Sequence, residues 1–390
     1  MMMKLMASVF RLVASLLHLL PLKQRVVFMS RQSSKLSLDF KMLVDELQRE
    51  YPDVRVKTCL SEPELAGKLA FIGGTLRQLV VASTAKVVVV DGYVPAVCIP
   101  KKRKGARVLQ VWHAPGAVKK FGYQSVDTPA GRSSKSAKAA HMHENYDVIV
   151  AGGPGAVASL AEAFGYAQDA VKPLGLPRVD YLVDVRPEGS RCVRMESIRC
   201  TNPVFSGGKV TVLYAPTLRK GAAYEGWLTK AVEELASGFD GERYNFIIAG
   251  HPLNNGFDSA VMERLPHVSF VRGAATIDLL GLADCVVTDY SAVSLEAGVL
   301  GKPVYFYTPD IDVYRQSPGL NIDPVLSFPD VASSDPAWLA KKIQQDAASE
   351  RGLHQDEAFA RLITSGFGGV LDGCCSQRIV EEIVSLLDRC

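Results

Sequence analysis

The chemistry-bearing side chains of this sequence stand where apolar, β-branched runs end. RVLQVW terminates in His113, followed by Ala114, Pro115 and Gly116 and then by Lys119 and Lys120. A histidine at such an edge takes up a proton near neutral pH, which is what a hydroxyl nucleophile requires of a general base; the plainer reading is a structural histidine closing a strand. KVTVLYAP runs into Thr217, Leu218, Arg219 and Lys220. There a guanidinium able to grip phosphate oxygens in pairs sits beside an ammonium, a candidate diphosphate clamp, the alternative being a solvated basic turn. NFIIAG ends in His251 and Pro252, which supplies a second imidazole.

The richest segment is DCVVTDYSAVSLEAG, in which an apolar strand feeds Thr288, Asp289, Tyr290 and Ser291 and a helix starts at once. Free amides and the positive end of the helix dipole make such a start a seat for phosphate. Ser291 and Ser294 add hydroxyls, and Glu296 is placed to accept from ribose hydroxyls. Capping alone explains Ser291 equally well. Asp289 would repel a phosphate, so its part is to orient neighbours.

Other chemistries are missing from the sequence. It has no Walker loop, no GxGxxG fingerprint, no HExxH and no convincing carboxylate pair for a divalent ion. The eight cysteines (Cys59, Cys98, Cys192, Cys200, Cys285, Cys374, Cys375 and Cys390) form neither a CxxC pair nor a disulfide framework, and they suit a reducing cytoplasm. A net charge of +3 from 44 basic and 41 acidic residues is too balanced for a general nucleic-acid binder.

These side chains need elements to hold them, and the 390 residues are comfortable for two domains. From Arg25 the chain alternates strands and helices: RVVFMS, DFKMLVDELQREYP, VRVKTCL, LRQLVVASTAKVVVVDGYVP, RVLQVWHAPG and YDVIVAGG. Runs such as VVVV, without polar alternation, suit strands buried on both faces of a parallel sheet. Residues 184–208, rich in Arg, Pro, Gly and Ser, show neither period and mark the junction. The alternation then restarts with KVTVLYAP, YNFIIAG, VSFVRG, DCVVTDY and KPVYFYT. The expected division is residues 1–24, 25–190 and 191–390, with the last helix, SQRIVEEIVSLLDR, free to pack on either domain. Ligands of such sheets bind beyond the carboxyl ends of the strands, here in a cleft between the domains.

The first twenty residues are apolar but interrupted by Lys4, Arg11 and His18. That argues against a secretory signal and a spanning helix. Leu5, Val9, Leu12, Leu16 and Leu20 fall at helical spacing, which fits an amphipathic helix on a membrane surface or one packed on the first domain.

Seven segments in order, VWHAPGAVKKFG, GLPRVD, LYAPTLRK, the strand-ending HP, VVTDYSAVSLEA, KPVYFYTPD and DGCCSQRIVEEI, resemble the CDP-glycerol glycerophosphotransferase family of teichoic-acid primases and polymerases. The resemblance runs from about Arg25 to the C-terminus. It implies an α/β fold of GT-B type, with two facing Rossmann-like domains, the first binding acceptor and the second binding the CDP donor. It also implies transfer of glycerol phosphate from CDP-glycerol to a lipid-linked disaccharide or glycerol-phosphate-primed acceptor, with release of CMP and without metal or cofactor. The setting would be peripheral, on the cytoplasmic face of the cell membrane. By the same resemblance His113 is the general base and Gly116, Lys119 and Lys120 lie toward the acceptor. Arg219 and His251 hold the diphosphate and assist departing CMP, with Lys220 the adjoining donor-binding candidate read from its charge, while Thr288, Asp289, Ser291, Ser294 and Glu296 line the donor turn. HAPGAVKKFG departs from the HGTPLK of polymerases and is closer to the short primases. Ribitol-phosphate transfer, a nucleotide-sugar GT-B glycosyltransferase and a non-catalytic nucleotide-binding scaffold remain as alternatives.

Overall fold

The structure, a computed structural model, describes residues 2–61, 68–219, 224–250, 257–271 and 273–389. The chain forms two compact units, Met1–Asp180 with Phe367–Cys390, and Tyr181–Gly366. The chain therefore crosses between units at 180/181, ten residues before the expected 190/191, and returns to the first unit for its last helix.

The first unit holds a six-stranded parallel sheet in the order β2-β1-β3-β4-β5-β6. The strands are β1 (Lys23–Ser30), β2 (Val56–Leu60), β3 (Ala85–Val90), β4 (Arg107–Gln110), β5 (Val148–Val150) and β6 (Val171–Lys172). Every residue of β3, AKVVVV, is buried, as a central strand covered on both faces requires. Alternation along β1 divides its side chains between two cores. Val27 and Met29 join Val88 and Val90 beneath the N-terminal helix Met2–Leu17. Phe28 points the other way and meets Phe40 of the helix Leu38–Glu50 at 5.2 Å between ring centroids. The last helix, Cys375–Asp388, packs on this second face beside Leu38–Glu50.

The N-terminal helix has one face buried and one exposed. Ala7, Phe10 and Ala14 are buried against the unit. From Val9 onward the stripe read from the sequence faces outward, with Val9, Leu16 and Leu20 exposed and Leu12 64% exposed, while the side chain of Leu5 lies outside the described residues. Arg11 does not hang free, since its Nε donates to the Ile99 carbonyl at 3.3 Å and its Nη2 meets His141. No helix among the described residues is long and apolar enough to cross a membrane.

The second unit repeats the plan in the order β12-β11-β10-β7-β8-β9, again parallel. Its strands are β7 (Val210–Tyr214), β8 (Tyr244–Ile248), β9 (Val268–Phe270), β10 (Cys285–Thr288), β11 (Val304–Tyr307) and β12 (Ala332–Ser333). One reading needs correcting. Within 184–208, where neither period was seen, Ser190–Thr201 is helical, and Ile198 is its buried residue. A helix lying on the surface needs no apolar stripe, so its sequence carries no period to read. Polar contacts hold it instead: Arg194 pairs with Asp278 at 3.0 Å, and Arg191 Nη1 donates to the Leu182 carbonyl at 2.7 Å.

Candidate active site

In the first unit the site is built around the ends of β3 and β4. Val111 continues the ladder by donating to the Val90 carbonyl, and Trp112 then takes a left-handed backbone with φ of 61°. For a bulky residue that conformation costs roughly 1–2 kcal/mol. It is held by Gln110, fully buried, whose Oε1 accepts from the Trp112 amide at 3.0 Å while its Nε2 donates to the Gly92 carbonyl at 3.2 Å. The indole stacks on Phe121 at 4.5 Å and stands edge-on to Phe164. The chain is thus folded back so that His113, one residue on, reaches the turn after β3.

His113 Nδ1 lies 3.0 Å from the Asp91 carbonyl oxygen. Only a ring N–H can make that bond, so Nδ1 carries the proton and Nε2 presents its lone pair. By solvent accessibility the residue as a whole is exposed. Its pKa is lowered, first by desolvation and then by the Arg178 guanidinium, against the opposing Asp91 hydrogen bond and Asp39 charge. The neutral, proton-accepting form is therefore the resting state at pH 7.

Sequence reasoning passed over Asp91, although VVVVDG places a carboxylate at the end of a buried strand just as RVLQVWH places an imidazole. Asp91 is 3% exposed, and its Oδ1 has no hydrogen-bond partner. Desolvation pushes its pKa up to about 6, against a hydrogen bond from Ser30. Arg178, from the GLPRVD segment, donates to Asp39 through Nε at 2.9 Å and through its amide at 2.9 Å. Asp180 of the same segment accepts from the amides of Cys375 and Ser376 at 2.8 and 2.7 Å, which caps the last helix. Two of the segments noted in the sequence are thus physically joined. Of the acceptor-side candidates, Gly116 is buried and Lys119 and Lys120 are half-buried.

In the second unit the candidates prove to be mostly interior. Arg219, read from the sequence as part of a diphosphate clamp, is engaged by two carboxylates. Its side chain is 1% exposed. Nε and Nη2 hold Asp310 at 2.8 Å each, while Nη1 holds Asp289 at 2.8 Å and the Thr217 carbonyl at 3.0 Å. Its guanidinium stands 3.6 Å from the Trp227 ring centroid. Burial alone would lower its pKa, but the carboxylates of Asp310 and Asp289 outweigh that and raise it. Arg219 is the hub of a buried ionic cluster.

Asp289 orients its neighbours, accepting from the amides of Thr217 and Tyr290 at 2.8 and 2.6 Å. Thr288, fully buried, donates to the Ala215 carbonyl at 2.6 Å. Ser294 is buried and donates to the Ser291 carbonyl at 2.8 Å. Ser291 Oγ accepts from the Val293 amide at 3.3 Å, one position ahead of the N-cap, Ala292, of the helix Val293–Val299. Ser291 is half-buried. Glu296 is buried. Lys220 and His251 lie outside the described residues. No group of three or more His, Cys, Asp or Glu among the described residues is arranged to hold a metal.

Residues 12–385 match the family described as CDP-Glycerol:Poly(glycerophosphate) glycerophosphotransferase. The teichoic acid ribitol-phosphate primase of Bacillus spizizenii is 31% identical over 380 residues, 95% of this chain and 93% of that protein. The teichoic acid glycerol-phosphate primase of Bacillus subtilis is 28% identical over 78% of this chain and 74% of its own. The chain spans 60% of the teichoic acid poly(ribitol-phosphate) polymerase of Bacillus spizizenii, at 26% identity. Among solved structures, the wall teichoic acid polymerase TagF superposes with a TM-score of 0.71 at 22% identity, covering 96% of this chain and 92% of that one. A variant of it soaked with CDPG gives 0.71 at 21%, covering 99% and 94%. At those identities the likeness concerns the fold.

Proposed function

From the premise that this chain belongs to the CDP-glycerol:poly(glycerophosphate) glycerophosphotransferase family, we propose that it transfers glycerol phosphate from CDP-glycerol to a lipid-linked teichoic-acid-type acceptor and releases CMP. The observation that carries the mechanism is His113, whose Nδ1 is engaged by the Asp91 carbonyl, which leaves Nε2 as the nitrogen with a free lone pair. The acceptor hydroxyl gives its proton to Nε2, and its oxygen bonds to the β-phosphorus of the donor as the bond to CMP breaks. Positioning and fixed charge supply most of the acceleration. Lys220, His251 and the turn at Ser291 are the candidates for meeting the donor, and Arg219 acts by fixing the strand ends that carry them. The reaction is expected to run without an added divalent cation, which turnover in the presence of a chelator tests.

Ribitol phosphate as the transferred group is the second reading. The ribitol-phosphate primase matched over 95% of the chain favours it. HAPGAVKKFG, closer to the short primases than to HGTPLK, supports addition of one or a few units. Release of CMP from CDP-glycerol, CDP-ribitol and, as a control, UDP-sugars, with a lipid-linked acceptor present, decides among them. CMP from neither CDP-polyol overturns the proposal.

The same reading places the protein peripherally on a membrane. The outward stripe Val9, Leu12, Leu16, Leu19 and Leu20, with Leu76 and Val80 exposed on the adjoining helix Lys68–Ser83, supports it. So does the basic loop Lys101–Lys104, whose neighbour Gly105 abuts Leu22 just beyond the N-terminal helix.

A further inference from the structure

The imidazole of His113 makes its hydrogen bond to a neutral main-chain carbonyl, not to a carboxylate. When Nε2 takes a proton the ring acquires a full positive charge, which the histidine of a Ser-His-Asp triad steadies with a buried carboxylate. Desolvation works against the charged ring, and of the charged groups Arg178 opposes it while Asp39, its ion-pair partner, favours it. A different group has to offset the charge, and the residue before the base is placed to do so.

The ring centroids of Trp112 and His113 are 4.0 Å apart, with the planes 37° from parallel. Edge-on and offset aromatic pairs keep their centroids about 4.5–7 Å apart, so at this closer spacing the imidazole lies over the indole face. Among aromatic side chains indole attracts a cation best, when the cation stands over the ring within about 6 Å of its centroid. The indole is fixed from several sides. Phe121 stacks on it 14° from parallel, Phe164 stands edge-on at 5.3 Å, and Gln110 holds the Trp112 amide. Gln110 also donates to Gly92, next to the residue whose carbonyl engages His113. The left-handed backbone at Trp112 persists because these surroundings enforce it, and strain of this kind gathers at functional sites. An aliphatic side chain could fill space against Phe121, but only an aromatic face answers a charge.

We propose that Trp112 is a positioning residue for the transfer reaction, its indole face holding the imidazole of His113 in place and steadying the positive charge that the ring gains from the acceptor hydroxyl. The proton passes from oxygen to Nε2, the O–H electron pair stays on the attacking oxygen, and the imidazolium returns its proton to water before the next cycle. This role rests on His113 serving as the base, as in the functional reading above, and gives the base the electrostatic partner that a carbonyl does not supply.

The test replaces tryptophan throughout the full chain by analogues carrying successive fluorines on the benzo ring, which drain the π face while barely changing its shape. Of the three tryptophans, Trp112 is the one paired with His113. The His113 pKa is followed by nitrogen NMR, its signal assigned by its loss in His113→Ala. It should fall with each fluorine, by about one pH unit over the series. In step with it, kcat for CMP release should fall about three- to tenfold and the acid limb of its pH profile should move down, while donor KM holds. Trp112→Leu should lower pKa and kcat at least as far, and Trp112→Phe should recover part of the loss. A pKa indifferent to the fluorines, or a Trp112→Leu variant whose kcat falls while the His113 pKa stays put, overturns the role and leaves Trp112 a packing residue. The fluorine series keeps the side chain's shape, so it decides the matter if Trp112→Leu does not fold. No CMP from any CDP-polyol in the wild type, with the fluorine response of the pKa intact, would sink the functional reading and not the contact between the rings.

Discussion

His113 and Asp91 are joined by a hydrogen bond from imidazole to main-chain carbonyl, 3.0 Å long, and it leaves the Asp91 carboxyl to its own environment. One residue thus fixes the tautomer of the base with its backbone while its side chain remains buried and one oxygen of it unpartnered.

Replacing His113 by Ala removes the proton acceptor and not the donor pocket. A loss of about 10²–10⁴-fold in kcat is expected, with donor binding unchanged. Because desolvation lowers the imidazole pKa below its ordinary 6.5, the acid limb of the wild-type rate profile should fall below that pH. A pH series of CMP release measures both.

Asp91 should make the protein less stable as pH rises. A carboxyl whose folded pKa, about 6, exceeds its ordinary 3.8 binds its proton more tightly in the native state, so native stability is lost between those values. Asp91→Asn cannot ionise and should flatten that slope, a gain above pH 6 on the order of 3 kcal/mol at most. Denaturant unfolding at pH 4 and pH 7 reads it, and parallel pH dependences in the two proteins would refute it.

Arg219→Ala should act on folding before it acts on donor affinity. It strands Asp289 and Asp310, and breaking such a buried cluster costs about 3–5 kcal/mol. Thermal unfolding should show a large drop. A variant of normal stability with weakened donor binding would restore the clamp.

Leu12→Glu with Leu16→Glu leaves the buried face Ala7, Phe10 and Ala14 in place, so the fold should survive. Cosedimentation with anionic liposomes should fall, and turnover of a soluble acceptor analogue should not.

Much of the fold was legible because buried parallel strands write themselves as unbroken apolar runs, as at VVVV and DCVV. The two-residue strands β6 and β12 are too short to leave such a mark, and Ser190–Thr201 left none because its contacts are polar. At the site, His113 was legible as a candidate because it closes the apolar run RVLQVW. The fate of Arg219 was not, because its partners lie 70 and 91 positions away and only the folded sheet brings them together. A basic residue after a strand reads the same whether it faces a ligand or two carboxylates.

The cap that Asp180 places on the last helix has a consequence for how the protein is made. Its partner amide on Cys375 lies 195 residues further along. On the ribosome the whole of Tyr181–Gly366 must emerge before that amide exists. Until then the first unit waits with Asp180 lacking the amides it caps and with the sheet face meant for Ile379 and Ile383 bare, a sticky surface for chaperones to shield during translation.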